Sequence, residues 1–227
     1  MKIYTRKGDF GSTGQFMGGR VSKQDYSMQA VGSVDEANSH IGLIRYKLRG
    51  HAIISKDIVI ERVERELVTV QSALFDIGAI ISTNIDWLAK DGNIDQVVPV
   101  NNLRDEDVQA LEDLIDQMDK SLEPLVNFIL PTGNELCCIV HIARSVCRRA
   151  ERDAVAWLEN IKFNYNCDTK KIVDGNLLVY LNRLSDFLFV LSRKVNQGSE
   201  TEWLGRSRDK SSKKSSPRQL ELFDDQE

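Results

Sequence analysis

Apolar residues recur at alternating steps of three and four along most of the chain. The run Val34, Ala37, Ile41, Ile44, Leu48 follows this rule, and Ile60, Val63, Leu67, Val70, Leu74, Ile77, Ile81 repeats it for three heptads. Val108, Leu111, Ile115, Met118 continue it. So do Leu177, Leu181, Leu184, Leu188, Leu191, Val195. Such spacing keeps one helical face apolar and suits helices packed nearly parallel. A further helix is predicted from about Asn134 to Leu158, with Leu136, Val140, Ala143, Cys147, Ala150, Ala154 and Trp157 on one side. Ser33, before Val34-Asp35-Glu36, reads as an N-cap with its capping-box acid three residues on.

The connections read differently. Residues 83–102 have no sustained period and contain Asp91-Gly92-Asn93, which predicts a loop. Residues 123–133 hold two prolines around Phe128-Ile129-Leu130, and residues 160–175 form a largely polar link. Beyond Gly198 the helical pattern stops. Ser, Lys and Arg dominate residues 207–216 and acids close the chain, so residues 198–227 read as a disordered tail. The expected organisation is an N-terminal loop over 1–24, a helical bundle over 25–197, and that tail. The fold class is all-α, a five-helix bundle with up-down packing.

Composition narrows the class. The 227 residues are 41% hydrophobic, enough for a core, and only 4 are proline, which favours long helices. No apolar run approaches the roughly 18 residues that cross a bilayer, and Met1 to Arg20 lacks an apolar signal core. The 4 cysteines form no C-x-x-C pair, so reduced thiols in the cytoplasm are the expectation. His40, His51 and His141 are isolated, and no metal site is expected. The net charge of −4 argues against a general nucleic-acid binder. It is unevenly spread: residues 1–50 carry +4, residues 51–143 carry −11, and residues 144–183 carry +3.

Three segments carry candidate chemistry. Five glycines fall between Gly8 and Gly19, beside Thr5, Ser12, Thr13 and the cations Arg6, Lys7, Arg20 and Lys23. Glycines let backbone N–H groups converge on an anion, and the cations add charge-assisted bonds. The segment is either a phosphate cradle without the Walker pattern or a flexible arm. On the arginine-rich helix, Arg144, Arg148, Glu151 and Arg152 share one flank of the apolar stripe. This is a polyanion site or a solvated face with internal ion pairs. Asn182, Asp186, Phe189 and Arg193 line the last helix beside its leucines, and Asn182 either orients a nucleoside or satisfies a neighbouring helix.

Five blocks then coincide with one family. Lys2-Ile3-Tyr4-Thr5-Arg6-Lys7-Gly8-Asp9-Phe10-Gly11, continuing through Thr13 and Gly19 to Lys23, resembles the opening of the PduO-type ATP:cob(I)alamin adenosyltransferases. So do Gly32 to Asn38, Phe128 to Pro131, Ala143 to Arg152 and Tyr180 to Asp186, in the family's order. The resemblance covers Met1 to about Asn196. It implies a helical-bundle homotrimer with sites between subunits. It also implies transfer of the adenosyl group of ATP, with Mg²⁺, to the cobalt of cobalamin. A reductase would supply electrons and a cobalamin-dependent enzyme would use the product. The alternative is a non-catalytic module that binds and delivers ATP or corrinoid.

The resemblance also assigns residues. The phosphate loop maps onto Thr5, Arg6, Lys7, Gly8, Asp9, Gly11 and Thr13, with Arg20 and Lys23 following. Arg148, Arg149, Glu151 and Asn182 match nucleotide contacts. Asp35 and Arg144 match a pair that bridges subunits, and Phe128 matches an aromatic that displaces the corrinoid's lower axial ligand. Lys7 departs from the family, which usually has Thr there. Outside the resemblance, Gln219-Leu220-Glu221-Leu222-Phe223 resembles the short peptide that docks bacterial proteins on the DNA sliding clamp.

Overall fold

The computed structural model describes residues 2–85, 103–165 and 176–204. Among these, five helices follow a small hairpin. The hairpin is β1 (Ser12–Gly14) and β2 (Arg20–Ser22), and the helices are α1 (Tyr26–Ser55), α2 (Ile58–Ile81), α3 (Asp105–Asp119), α4 (Glu135–Tyr165) and α5 (Asn176–Val195). Each apolar stripe read from the sequence faces the common core. In α3, Leu114 takes the inward place and Ile115 is only partly buried. Helix α1 packs between α2 and α4, and α5 packs between α4 and α3. A light contact of α3 with α2 closes the ring. The all-α five-helix reading therefore holds.

The N-cap of α1 lies eight residues before the predicted one. Asp25 accepts from the Ser27 backbone N–H (2.8 Å) and hydroxyl (2.5 Å), so it is the N-cap. Ser33 sits inside the helix, buried, and its hydroxyl donates to Asp153 of α4 (2.5 Å). A cross-helix carboxylate thus satisfies the polar group that the sequence reading spent on a cap. Helix α4 begins as predicted, with Asn134 Oδ1 accepting from the Cys137 N–H (2.9 Å). It then runs past Leu158 to Tyr165, because Ile161 continues the buried stripe. The rest of the polar link lies outside the described residues, as do residues 86–102 of the predicted loop.

The N-terminal segment is more regular than a loop. Ser12 pairs with Ser22, Thr13 with Val21 and Gly14 with Arg20 in an antiparallel register. The turn is pinned to the end of α2, where Phe16 N–H donates to Ser82 O (2.9 Å) and Asn84 N–H to Phe16 O (3.0 Å). The Asn84 side chain also donates to Gly18 O (2.8 Å). Gly19 has φ +79, and a Cβ there would sit 2.1 Å from Asn84 Nδ2, so only glycine lets the turn approach α2 this closely.

The tail expectation needs correction for residues 198–204. After α5 the backbone turns through Gln197 (φ +55) and Gly198 (φ +70) and returns antiparallel to the Phe128 segment. Leu130 N–H donates to Thr201 O (2.8 Å) and Trp203 N–H to Phe128 O (2.7 Å). Backbone pairing with a distant segment, invisible to helical period, orders this stretch. Residues 205–227, including the Gln219–Phe223 peptide, lie outside the described residues.

Asp57 caps α2, accepting from the N–H groups of Val59 (2.9 Å) and Ile60 (3.3 Å), and pairs with Lys194 of α5 (2.9 Å). Burial pushes its carboxyl up, but Lys194 and the two backbone donors outweigh that and hold it below its usual value. Its stabilising contribution is present above the ordinary aspartate pKa and lost as pH falls through the depressed one. Asp57→Asn keeps the cap and removes the charge. It should cost about 0.3–1 kcal/mol at neutral pH. In urea titrations the gap from the parent should close below about pH 4.

Candidate functional site

The arginine helix places Arg148, Glu151, Arg152 and Val155 along one line, and they border an open cleft of about 280 Å³. Spacings of three and four residues put these positions on one face. Arg152 Nη1 donates to the Arg148 backbone carbonyl (3.1 Å), holding the Arg152 guanidinium along that face. Across the groove, Asn182 of α5 donates to Glu151 Oε1 (3.1 Å). The structure brings Arg148, Glu151 and Asn182 to one groove; the resemblance grouped these three with Arg149. Arg152 joins them by the same spacing, and Val155 adds an apolar wall that its neighbours in sequence did not mark.

Arg149 lies elsewhere. It is 100° round the helix from Arg148 and pairs with Glu36 of α1. Arg144 sits one turn before Arg148, half-buried. Its Nε is buried and finds no hydrogen-bond partner among the described residues. Burial, then the Arg148 charge, push its guanidinium below the usual value. His141, one turn earlier, repeats the pattern: Nδ1 is buried without a partner among the described residues, and burial followed by Arg144 lowers its pKa. Asp35 is exposed on α1, where its carbonyl accepts from Ser39 (3.1 Å).

Arg20 organises the N-terminal loop. Its Nη2 donates to Lys7 O (2.5 Å), Ser12 O (3.0 Å) and Ser12 Oγ (2.8 Å). Lys23 N–H donates to Gly11 O (2.9 Å), and the Lys23 ammonium lies over Gly8, 3.4 Å from where a Cβ would be. Thr5 Oγ1 meets the Lys7 N–H at 3.5 Å. Arg6 has φ +59 and stacks over Tyr4, 5.7 Å from its centroid. Lys7, Asp9 and Gly11 are exposed, and Thr13 is partly covered in β1. The loop is a folded, cation-rich surface.

Phe128 is 63% exposed on the connection between α3 and α4. Its ring meets Trp203 edge to face, 6.3 Å between centroids. Trp203 was missed by sequence reasoning because no motif or period covers it. A tryptophan in a polar stretch after the last helix was the only signal.

Among the described residues no group of three or more His, Cys, Asp or Glu is placed to hold a metal ion. No described helix is long and apolar enough to cross a membrane.

The family model for cobalamin adenosyltransferase matches residues 3–195. The chain belongs to the cobalamin adenosyltransferase family. Within that family it is 36% identical over 202 residues to the corrinoid adenosyltransferase of Bacillus subtilis, covering 88% of this chain and 89% of that one. The cobalamin adenosyltransferase of Cupriavidus metallidurans is 35% identical over 205 residues, covering 89% and 94%. Among solved structures, a variant PduO-type ATP:corrinoid adenosyltransferase from Lactobacillus reuteri, complexed with cobalamin and ATP, superposes with a TM-score of 0.70. It is 28% identical and covers 90% of this chain and 97% of that one. A second variant of that enzyme, complexed with ATP, gives 0.69 at 27% identity, covering 90% and 100%.

Proposed function

We propose that the chain transfers the 5′-deoxyadenosyl group of ATP to the cobalt of cob(I)alamin, releasing inorganic triphosphate. The observation that carries this reading is the Arg148–Glu151–Asn182 groove, in a member of this family. Cob(I)alamin is itself a strong nucleophile. Its cobalt electron pair forms the bond to C5′ while the C5′–O bond breaks and that pair leaves on the triphosphate oxygen. The protein therefore needs no nucleophile or general base of its own. Its work is to position two substrates and stabilise the charge that collects on the leaving group.

Arg148 and Arg152 supply planar donors to the phosphate oxygens. Asn182 orients Glu151, and together they face the nucleoside. Arg20 and Lys23 bring positive charge to the N-terminal loop, where Thr5, Arg6, Gly8, Asp9, Gly11 and Thr13 close on the phosphates. Lys7 replaces the family's hydroxyl with a cation that meets phosphate from solvent. Mg²⁺, when bound, would take one or two carboxylates beside substrate phosphates and water, and Glu151 on the cleft would supply one, lowering the charge on the leaving triphosphate. Phe128 keeps a ligand off the lower face of cobalt, and a four-coordinate cobalt(II) is easier to reduce.

The homotrimer belongs to the same reading. The unpartnered Arg144 Nε supports a partner carboxylate, Asp35 of a second copy, across a subunit boundary. Arg149 steadies the groove from the α1 side through Glu36. A cytoplasmic setting, a reductase and a cobalamin-dependent acceptor enzyme complete the proposal.

The test mixes the protein with ATP, Mg²⁺ and chemically reduced cob(I)alamin and follows the visible spectrum. Adenosylcobalamin should accumulate with one triphosphate per turnover. ATP binding without turnover would overturn the enzyme reading in favour of a binding and delivery module.

A further inference from the structure

Arg193 of α5 is a charged residue buried to 5% exposure, and the adenosyl-transfer chemistry does not use it. Its Nε donates to Glu200 Oε1 (2.7 Å), its Nη2 to the Glu123 carbonyl (2.6 Å), and its Nη1 lies 3.8 Å from Asp119 Oδ1. One guanidinium thus ties the end of α3, the connection that follows it, and the segment after α5. The Glu200 side chain is itself only 14% exposed. A buried pair of this kind is costly to desolvate, and removing one partner leaves an uncompensated buried charge.

Asn196 makes the second tie. Its Oδ1 accepts from the Asn134 N–H (3.0 Å) and its Nδ2 donates to Ser199 O (2.6 Å). A Cβ on Gly133 would lie 2.5 Å from that Oδ1, so the approach is tight. The 120–134 connection is therefore anchored near both ends to residues 193–200. Between the anchors, residues 201–203 carry Phe128 directly. Thr201 O accepts from Leu130, Trp203 N–H donates to Phe128 O, and Glu202 accepts from Asn127 Nδ2 (3.0 Å).

We propose that Arg193 and Glu200 are positioning residues that set Phe128, acting through the strap of residues 196–204. The strap is then part of the corrinoid-side scaffold, and removing it unseats Phe128 while leaving the ATP groove on α4 and α5 in place. The effect on turnover rests on the reading of Phe128 given above; the mechanical link does not.

The experiment uses the full chain, its Glu200→Ala variant and a Glu200→Gln variant that keeps an acceptor for Arg193. Hydrogen exchange followed by mass spectrometry reports peptides covering residues 124–134 and 196–204. Glu200→Ala should exchange at least 10-fold faster in both peptides, with peptides from α1 and α4 unchanged, and Glu200→Gln should lie between. In the adenosylation assay Glu200→Ala should raise KM for cobalamin or lower kcat, leave KM for ATP as in the parent, and yield less four-coordinate cobalt(II) in the visible and paramagnetic-resonance spectra of bound cob(II)alamin. Parent-like exchange in both peptides would overturn the latch. Faster exchange with corrinoid kinetics and spectra unchanged would overturn its positioning role. A parent that shows no adenosylation would overturn the functional reading, while the exchange result would still decide the latch. Should Glu200→Ala fail to fold, the same measurements on Glu200→Gln decide both questions.

Discussion

Arg148→Ala is expected to lower kcat/KM for adenosyl transfer by about 10- to 150-fold, the equivalent of losing one charge-assisted contact of about 1.5–3 kcal/mol. The side chain is exposed on the rim of the cleft, and its only described polar tie, the bond from Arg152, uses the backbone carbonyl that alanine keeps. Removing it leaves no buried orphan, so folding stability should stay within about 0.5 kcal/mol of the parent. The loss should therefore be kinetic. It should fall on kcat if the guanidinium binds the triphosphate more tightly as charge develops, and on KM if it binds ATP equally in both states. Arg148→Lys keeps the charge but loses the planar fork, so it should lie between. The readout is initial rate against ATP at saturating cob(I)alamin. An unchanged kcat/KM would show that another cation, Arg152 or Lys23, carries the leaving group.

That cleft was legible in the sequence because one helix writes most of it. Arg148, Glu151 and Arg152 follow one another at helical spacing, and the apolar stripe beside them fixes which way they face. Asn182 was legible only as a polar residue beside a core face. Its bond to Glu151 joins residues of two helices, and no local pattern encodes which side chains meet across a groove. Arg149 shows the limit from the other side. A run of charges does not say which member turns to the neighbouring helix, and its partner Glu36 lies over a hundred residues away. The early start of α1 was hidden for a different reason. Gly32 interrupts its opening turns, and Ser33 offered a plausible cap, while the true cap at Asp25 rests on a two-residue Asx bond. The strap at 196–204 left least trace. Its order comes from backbone bonds to the Phe128 segment and from one buried guanidinium, neither of which has a period. The five apolar stripes, by contrast, needed no partner to be recognised, so the bundle was readable and its trimmings were not.

Phe187→Ala should destabilise the protein by about 3–5 kcal/mol, the larger of the expected effects on folding. Phe187 is fully buried on α5, which lies between α4 and α3 and so serves both sides of the ring. Truncation removes the transfer free energy of the ring and leaves a void that helices anchored at both ends collapse into only partly. Helix α5 is anchored by Asn176 bonded to Leu103 O (3.1 Å) at its start and by Arg193 and Lys194 at its end. Little relaxation is available, which places the cost toward the upper part of that range. For a domain of this size the melting temperature should fall by about 6–20 °C. Calorimetry at matched protein concentration is the measurement, since the proposed homotrimer would make the midpoint depend on concentration. Phe163→Ala is the control. That ring is 86% exposed near the end of α4, and its removal should change stability by about 0.5 kcal/mol or less. Similar losses for both variants would mean that Phe163 is covered in the assembled protein. A loss below about 1 kcal/mol for Phe187 would mean that α5 shifts to fill the void, and its groove partners Asn182 and Glu151 should then separate and weaken ATP binding in the same variant.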